Sequence, residues 1–511
     1  MTFISILYGL FLLSVIILYW GVQERRLRLG FVLGASLVFY ASVALQSVPL
    51  LLLSAWVNYR LGRKMGNERT PEPYKGDWQL SNQAWNAAKR RSQIRRALML
   101  VVGIVFNIAI LLGFKYGAML LPNGTEENTA SVFGAGLGWL DPYFVTPLGI
   151  SFFTFECLAY LIDVYRGAPL CQDWLEFTAY KFFFPKLISG PITRYHQWTD
   201  QFDKPENLAI ERVAEGLWLI ASGAIKKGLL ADNLGVFVGL CFDNLERAGS
   251  HDLWLAAIAY GFQLYLDFSG YVDIARGSAM LLGWNLPQNF DFPYLTTSIA
   301  DFWRRWHMTL GDWLRNYLYF PLGGSRRGLV ITCINLMVVM LIAGIWHGSA
   351  GTRLDPYGYL VWGGLHGLAL VAHRLTDVVS KQSAALQAWW RSVPGTLLAW
   401  VMTQGLVFVS WIFFRLPDLS QSPLVLEHLW NHPADAQFAQ KVYVESLHLG
   451  RSDLSVLLWI LAALMGVAYS FDRGMKLQLN WPVKIMLVPV CFYIVWLLAP
   501  QDSLPYIYFD F

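Results

Sequence analysis

The chain has 511 residues, of which 55% are hydrophobic and only 14% charged, where a soluble domain carries roughly 25% charged residues. Several apolar runs approach the roughly 20 residues needed to cross a bilayer, so an all-α, polytopic membrane protein is expected and a soluble one excluded. A net charge of +4 from 39 basic and 35 acidic residues offers no strongly basic surface for nucleic acid. The lipid bilayer is the first partner.

In chain order, Met1 to Val22 carries no charge and is followed by Glu24, Arg25, Arg26 and Arg28. A signal peptide has the reverse order, so this reads as a retained span with the N-terminus periplasmic and the arginines cytoplasmic. Residues 29–58, broken near Gln46, Ser47 and Pro49, read as two short helices in a hairpin. The stretch from Tyr59 to Arg96 reads as a cytoplasmic loop, with ten basic residues against Glu68, Glu72 and Asp77. A span at about 97–120 leads to an acidic loop with Glu126, Glu127 and Asp141, expected outside, and the chain re-enters through 143–162. Phe182 to Pro191 is too short and too rich in Gly and Pro to span, and reads as re-entrant. Further spans are expected at about 209–230, 253–283, 329–346, 357–372, 396–414, 454–470 and 482–499, for about eleven spanning helices plus short re-entrant and interfacial ones. No internal repeat or soluble domain interrupts them, so residues 1–511 read as a single membrane domain.

Two stretches place polar groups in this apolar chain: Asp301-Phe302-Trp303-Arg304-Arg305-Trp306-His307, and Gly344-Ile345-Trp346-His347-Gly348. Polar residues at membrane depth are costly and read as functional. Imidazole titrates near physiological pH and suits a general base, and Gly348 and Ser349 after His347 let backbone approach a reacting group. A histidine capping a helix C-terminus is the competing account of His347. If 301–317 is one helix, Arg304, His307, Gly311 and Arg315 share a face, with Trp303, Trp306, Leu310, Trp313 and Tyr317 opposite. Such a helix either lies at the membrane interface or lines a cytoplasmic mouth where Arg304, His307 and Arg315 meet an anionic donor. Asp301 and Arg305 read as an intrahelical pair.

Elsewhere, Asp267, Ser269 and Asp273 are expected to pair, with Arg276 or Lys226 as partners, and His366 to be packed and hydrogen-bonded among close-packing glycines. Arg415 is expected to snorkel to the outer interface. The five cysteines show no C-x-x-C pair or zinc spacing and read as buried thiols, so no metal site is expected. No phosphate-binding G-x-x-x-x-G-K-[ST] occurs, which argues against an ATP-driven pump.

Together with Pro147 to Phe152, Ile162 to Gly167, Pro185 with Ser189-Gly190-Pro191, Asp267 to Tyr271 with Asp273, Tyr317 to Tyr319, Leu322 to Gly324, and Trp411 to Arg415, these motifs resemble the membrane-bound O-acyltransferase family over about residues 140–415. The likeness is to its bacterial branch, which includes the alginate O-acetyltransferase membrane subunit. It implies His347 and His307 as catalytic residues, while Arg304 and Arg315 are the donor contacts that the helical spacing offers. It also implies acetyl-CoA as donor substrate with no tightly bound cofactor, a bacterial inner-membrane location, and transfer toward a periplasmic exopolysaccharide acetylation system. Periplasmic acetyltransferase or acyl-carrying proteins and a polysaccharide synthesis complex would be the partners. The same branch holds the teichoic-acid D-alanylation protein, and a non-enzymatic transporter or scaffold remains the contrasting class. With Arg326-Arg327 starting a span of roughly 18 residues, about 27 Å long, His307 and His347 are expected to open toward opposite sides.

Overall fold

A computed structural model describes residues 3–68, 78–120, 146–201, 209–348, 356–416, 418–500 and 503–507. Glu126, Glu127, Asp141, Ser349 and the loop charges Arg69, Glu72, Lys75 and Asp77 lie outside the described residues. Secondary structure among the described residues is entirely helical. Among the described residues, six helical runs are long and apolar enough to cross a membrane: Arg25–Asn67, Asn82–Tyr116, Leu329–His347, Val393–Arg415, Arg451–Gly474 and Trp481–Leu498. Their outer faces leave large apolar side chains uncovered, such as Trp459 at 76% and Trp496 at 76%, which hydrocarbon can cover and water cannot.

The other expected spans are shorter or more polar. Ile150–Tyr165 has 16 residues, and Ser250–Leu281 is long but carries Asp252, Gln263, Asp267, Asp273 and Arg276. The break near Pro49 is real, yet it joins helices of 20 residues each, Arg25–Ala44 and Val48–Asn67, through a turn at Leu45–Ser47. Each is about 30 Å long, so neither is short. Nor are Arg60, Arg63, Lys64, Lys89, Arg90, Arg91, Arg95 and Arg96 on a loop: they extend Val48–Asn67 and Trp78–Leu120. Lys and Arg are strong helix formers, so charge marks the end of the hydrocarbon segment without ending the helix.

The chain falls into two compact units, Met1–Asn207 with Leu281–Leu286, and Leu208–Met280 with Pro287–Phe511. In the first, Phe182 ends the helix Trp174–Phe182, the rest of the stretch to Pro191 forms only the four-residue helix Phe184–Leu187, and all of it is buried. Glu156 accepts from Lys186 at 2.6 Å, Lys181 at 3.2 Å, and the Thr193 amide and hydroxyl at 3.1 and 2.9 Å. Non-helical backbone at depth is tolerated where protein satisfies it in this way.

In the second unit the carboxylates of Ser250–Leu281 are paired, whereas the buried Ser269 hydroxyl, also expected to pair, has no hydrogen-bond partner among the described residues. Lys227 bridges Asp267 at 2.6 Å and Asp232 at 2.8 Å, all three nearly inaccessible, and Asp273 takes Lys226 at 2.6 Å and Arg276 at 3.8 Å. Asp273 therefore has both expected partners, while Asp267 pairs with the neighbouring Lys227. Lys227 sits in a π-helical stretch, Ile225–Ala231, inside an otherwise α-helical run. Arg415 reaches Asp243 at 3.5 Å and lies over Phe242. Cys157, Cys171 and Cys241 are buried free thiols; Cys333 and Cys491 are half-buried.

Candidate active site

The segment carrying His307 is fixed before any helix begins. Tyr294 donates its hydroxyl to the Gly261 carbonyl at 2.7 Å, while Trp400 and Gln404 donate to the carbonyls of Tyr294 and Thr296 at 3.0 and 2.7 Å. Ser298 then caps Ile299–Arg305 by accepting from the Asp301 amide, and Asp301 pairs with Arg305 at 3.1 Å.

A single helix over 301–317 does not form. Ile299–Arg305 stops, His307 takes the left-handed region at φ 43° and ψ 56°, and Met308–Leu314 starts a new helix that passes into the π-helical Arg315–Tyr319. Asn289 causes the break. Its backbone carbonyl accepts from the Met308 amide at 2.9 Å, and its side-chain Oδ1 accepts from the Thr309 amide and hydroxyl, both at 2.9 Å. These bonds replace those a continuous helix would make. The shared face expected for Arg304, His307 and Arg315 is consequently absent: His307 is 1% exposed, whereas Arg304 and Arg315 are exposed and Arg315 pairs with Asp312. Trp306, Leu310, Trp313 and Tyr317 are buried in protein, not presented to an interface.

Asn289 Oδ1 lies 3.3 Å from His307 Nδ1 as well. An amide oxygen only accepts, and the Thr309 amide identifies that atom as oxygen. His307 Nδ1 must then carry the hydrogen, which makes Nε2 the lone-pair nitrogen of a neutral ring. Burial pushes the imidazole down to about 3, so the ring is neutral at physiological pH, and the edge of Phe268 packs on it at 4.8 Å.

His347 is the last residue of Leu329–His347, at the C-terminal end where its competing reading put it, and is 3% exposed. Trp346, Phe414, Trp362 and Tyr359 surround its ring at 4.4, 5.1, 5.3 and 6.3 Å. Its helix crosses Pro356–Ser380 closely because Gly344 and Gly363 face each other. A Cβ on Gly363 would lie 2.5 Å from the Met340 carbonyl oxygen, and one on Gly344 2.5 Å from that of Tyr359. Gly364, also expected to serve packing, faces open space.

A column of rings joins the two histidines. Trp362 stacks on Trp411 at 5.9 Å, Trp411 meets Trp306 at 5.1 Å, and Phe290 and Phe268 carry the contacts on to the His307 ring at 5.2, 5.2 and 4.8 Å. Beside it, Trp303 Nε1 donates to His366 Nδ1 at 3.2 Å, so His366 Nε2 carries hydrogen and donates to Ser410 Oγ at 2.8 Å. Ser410 passes its own hydrogen to the Val407 carbonyl. Both nitrogens of His366 are thus engaged, the packed histidine expected from sequence. Sequence reasoning missed Asn289, Trp362 and Trp411; Gln-Asn-Phe-Asp-Phe-Pro at 288–293, a polar pair between aromatics, was the available signal for the first.

A family model described as MBOAT, membrane-bound O-acyltransferase family, matches residues 138–411, more than half of the chain. The chain belongs to the membrane-bound O-acyltransferase family. It is similar to "Probable alginate O-acetylase AlgI" of Pseudomonas syringae pv. tomato, 35% identical over 82% of this chain and 71% of that protein. It is also similar to "Peptidoglycan O-acetyltransferase" of Helicobacter pylori, 33% identical over 77% of this chain and 72% of that protein. Similarity to "Teichoic acid D-alanyltransferase" of Streptococcus thermophilus is lower, 29% over 44% of this chain and 56% of that protein. Family and helices together make this chain a multi-pass membrane acyltransferase.

Proposed function

We propose that this acyltransferase moves acetyl from cytoplasmic acetyl-CoA toward a periplasmic exopolysaccharide acetylation machinery, with an alginate-like glycan as final acceptor. The protein works in the bacterial inner membrane, N-terminus periplasmic, beside periplasmic acetyltransferase or acyl-carrying proteins and the polysaccharide synthesis complex. His347 is the general base: its imidazole takes the acceptor hydroxyl's proton as the oxygen attacks the thioester carbonyl. The C–O bond forms, the C–S bond breaks, and the proton leaves on the coenzyme A thiol. His307 is the second proton-handling ring, held through Nδ1 by Asn289. Exposed Arg304 and Arg315 meet the donor's phosphates as charge-assisted partners. The observation that carries this reading is the pair of buried imidazoles at the two ends of one ring column. Among acyl classes, acetyl is favoured over D-alanyl because similarity to the O-acetylating relatives covers 77–82% of the chain and similarity to the D-alanyl one 44%.

The test is acceptor-dependent release of coenzyme A from labelled acetyl-CoA by the protein reconstituted with its periplasmic partners, run beside a D-alanyl thioester. Turnover with acetyl-CoA that disappears in His347→Ala is expected. Turnover only with the D-alanyl donor, or none in any partner mixture, would overturn the proposal.

A further inference from the structure

We propose that the first unit carries a binding site for an anionic phospholipid, built between the charged ends of Val48–Asn67 and Trp78–Leu120 and independent of the histidine site. A cavity of about 560 Å³ lies there, within the size range of small-molecule sites. Arg60, Arg63 and Lys64 fall on one helical face by their spacing, and Arg95 faces them from the second helix. Against these four cations the lining offers one carboxylate, Glu68, 3.4 Å from Arg95. Among the described residues of the lining three positive charges are left over, on exposed side chains.

The site is held in register. Buried Asn58 and Asn107 exchange side-chain hydrogen bonds at 3.1 and 2.7 Å. The two helices therefore run antiparallel with Glu68 level with Arg95. Below the cations the surface turns apolar: Leu98 and Met99 line the cavity, while Trp56, Leu53, Ile108 and Leu112 stand 41–53% exposed at deeper levels. Trp56 lies 5.8 Å beneath the Arg60 guanidinium, the arrangement of an interfacial aromatic.

Both helices contain candidate spans, so the cations stand at headgroup height with bare hydrocarbon-facing surface leading away from them. A phosphodiester with acyl chains matches both halves; free phosphate or a nucleotide would use only the first. The uncompensated positive charge selects a net anionic headgroup over a zwitterion, whose ammonium would meet the same cations.

The probe is a mixture of phosphatidylglycerol and phosphatidylcholine added to the purified full chain, with bound lipid read by native mass spectrometry. The unaltered protein should retain phosphatidylglycerol preferentially, and each cation removed should weaken that preference roughly fivefold, so Arg60→Gln/Arg63→Gln/Lys64→Gln should lose roughly 100-fold. Exposed Arg326→Gln/Arg327→Gln, with two charges removed elsewhere, and charge-keeping Arg63→Lys should both retain it. Equal preference in the triple variant, equal loss in either control, or displacement of lipid by coenzyme A or inorganic phosphate would each overturn the proposal.

Discussion

Replacing Asn289 tests whether one buried amide sets the state of His307. Its Oδ1 is shared by three donors, the Thr309 amide and hydroxyl at 2.9 Å and His307 Nδ1 at 3.3 Å. Each buried donor left unpaired costs about 1–3 kcal/mol, and the left-handed His307 backbone that these bonds stabilise costs of order 1–3 kcal/mol by itself. Asn289→Ala should therefore lose roughly 3 kcal/mol or more of stability, and with it transfer activity. Asn289→Asp separates position from electrostatics. It keeps the accepting oxygen and gives up only Nδ2, a buried group without a partner among the described residues, while placing a carboxylate beside the ring. An opposite charge at that range favours the imidazolium and raises its pKa by about 1–3 units, up from the value near 3 that burial imposes. A base is lost when protonated, so the acid limb of the pH–rate profile should move upward by about 1–3 pH units. The assay is acceptor-dependent thiol release between pH 4 and 8 on protein verified as monodisperse. Superimposable profiles for the Asp variant and the parent would refute the assigned tautomer and the role of His307. The sign on stability runs the same way: with the folded pKa depressed, the unfolded chain takes up a proton the folded one refuses. His307 thus contributes stability above about pH 6.5 that drains away toward pH 3, at up to about 1.4 kcal/mol per pH unit.

The two proposed roles should separate in kinetics. His347→Ala is expected to abolish transfer while leaving acetyl-CoA affinity by calorimetry nearly intact, whereas Arg304→Ala and Arg315→Ala should raise the donor's KM with smaller effects on kcat; equal loss of donor affinity in His347→Ala would contradict the division. Lys227→Met leaves Asp232 and Asp267 buried without their shared cation and should cost about 3–5 kcal/mol. Because Lys227 and Asp267 also hold the Pro505 carbonyl and the Ile507 amide, that variant should release the C-terminal segment to limited proteolysis, and unchanged cleavage would count against the cluster. Gly363→Leu drives a side chain into the Met340 carbonyl 2.5 Å from its Cβ and should lower thermal stability sharply, while Gly364→Ala, facing open space, should be neutral; equal melting of the two would refute the close crossing.

What was legible in the sequence follows the range of the interactions responsible. The apolar helices and the all-α class came from composition and runs of apolar residues, both local properties, whereas the charged stretch from Tyr59 to Arg96, read as a loop, extends two of the helices. The Asp301–Arg305 pair is four residues apart in one helix and needs nothing else. The family likeness likewise rested on short motifs, and the match over residues 138–411 carries it. Periodicity failed where a distant group competes with the helix for its own amides. A 3.6-residue period run through residues 301–317 assumes that every amide bonds four residues back, and so it put His307 on an exposed face with two arginines. Asn289, eighteen residues upstream, takes the amides of Met308 and Thr309 and turns His307 inward. The same contact that hides the residue from pattern analysis also fixes which of its nitrogens carries the hydrogen. The left-handed backbone and the buried amide together hold the His307 imidazole neutral, oriented and out of water, three properties that the proton-handling role proposed for it would use.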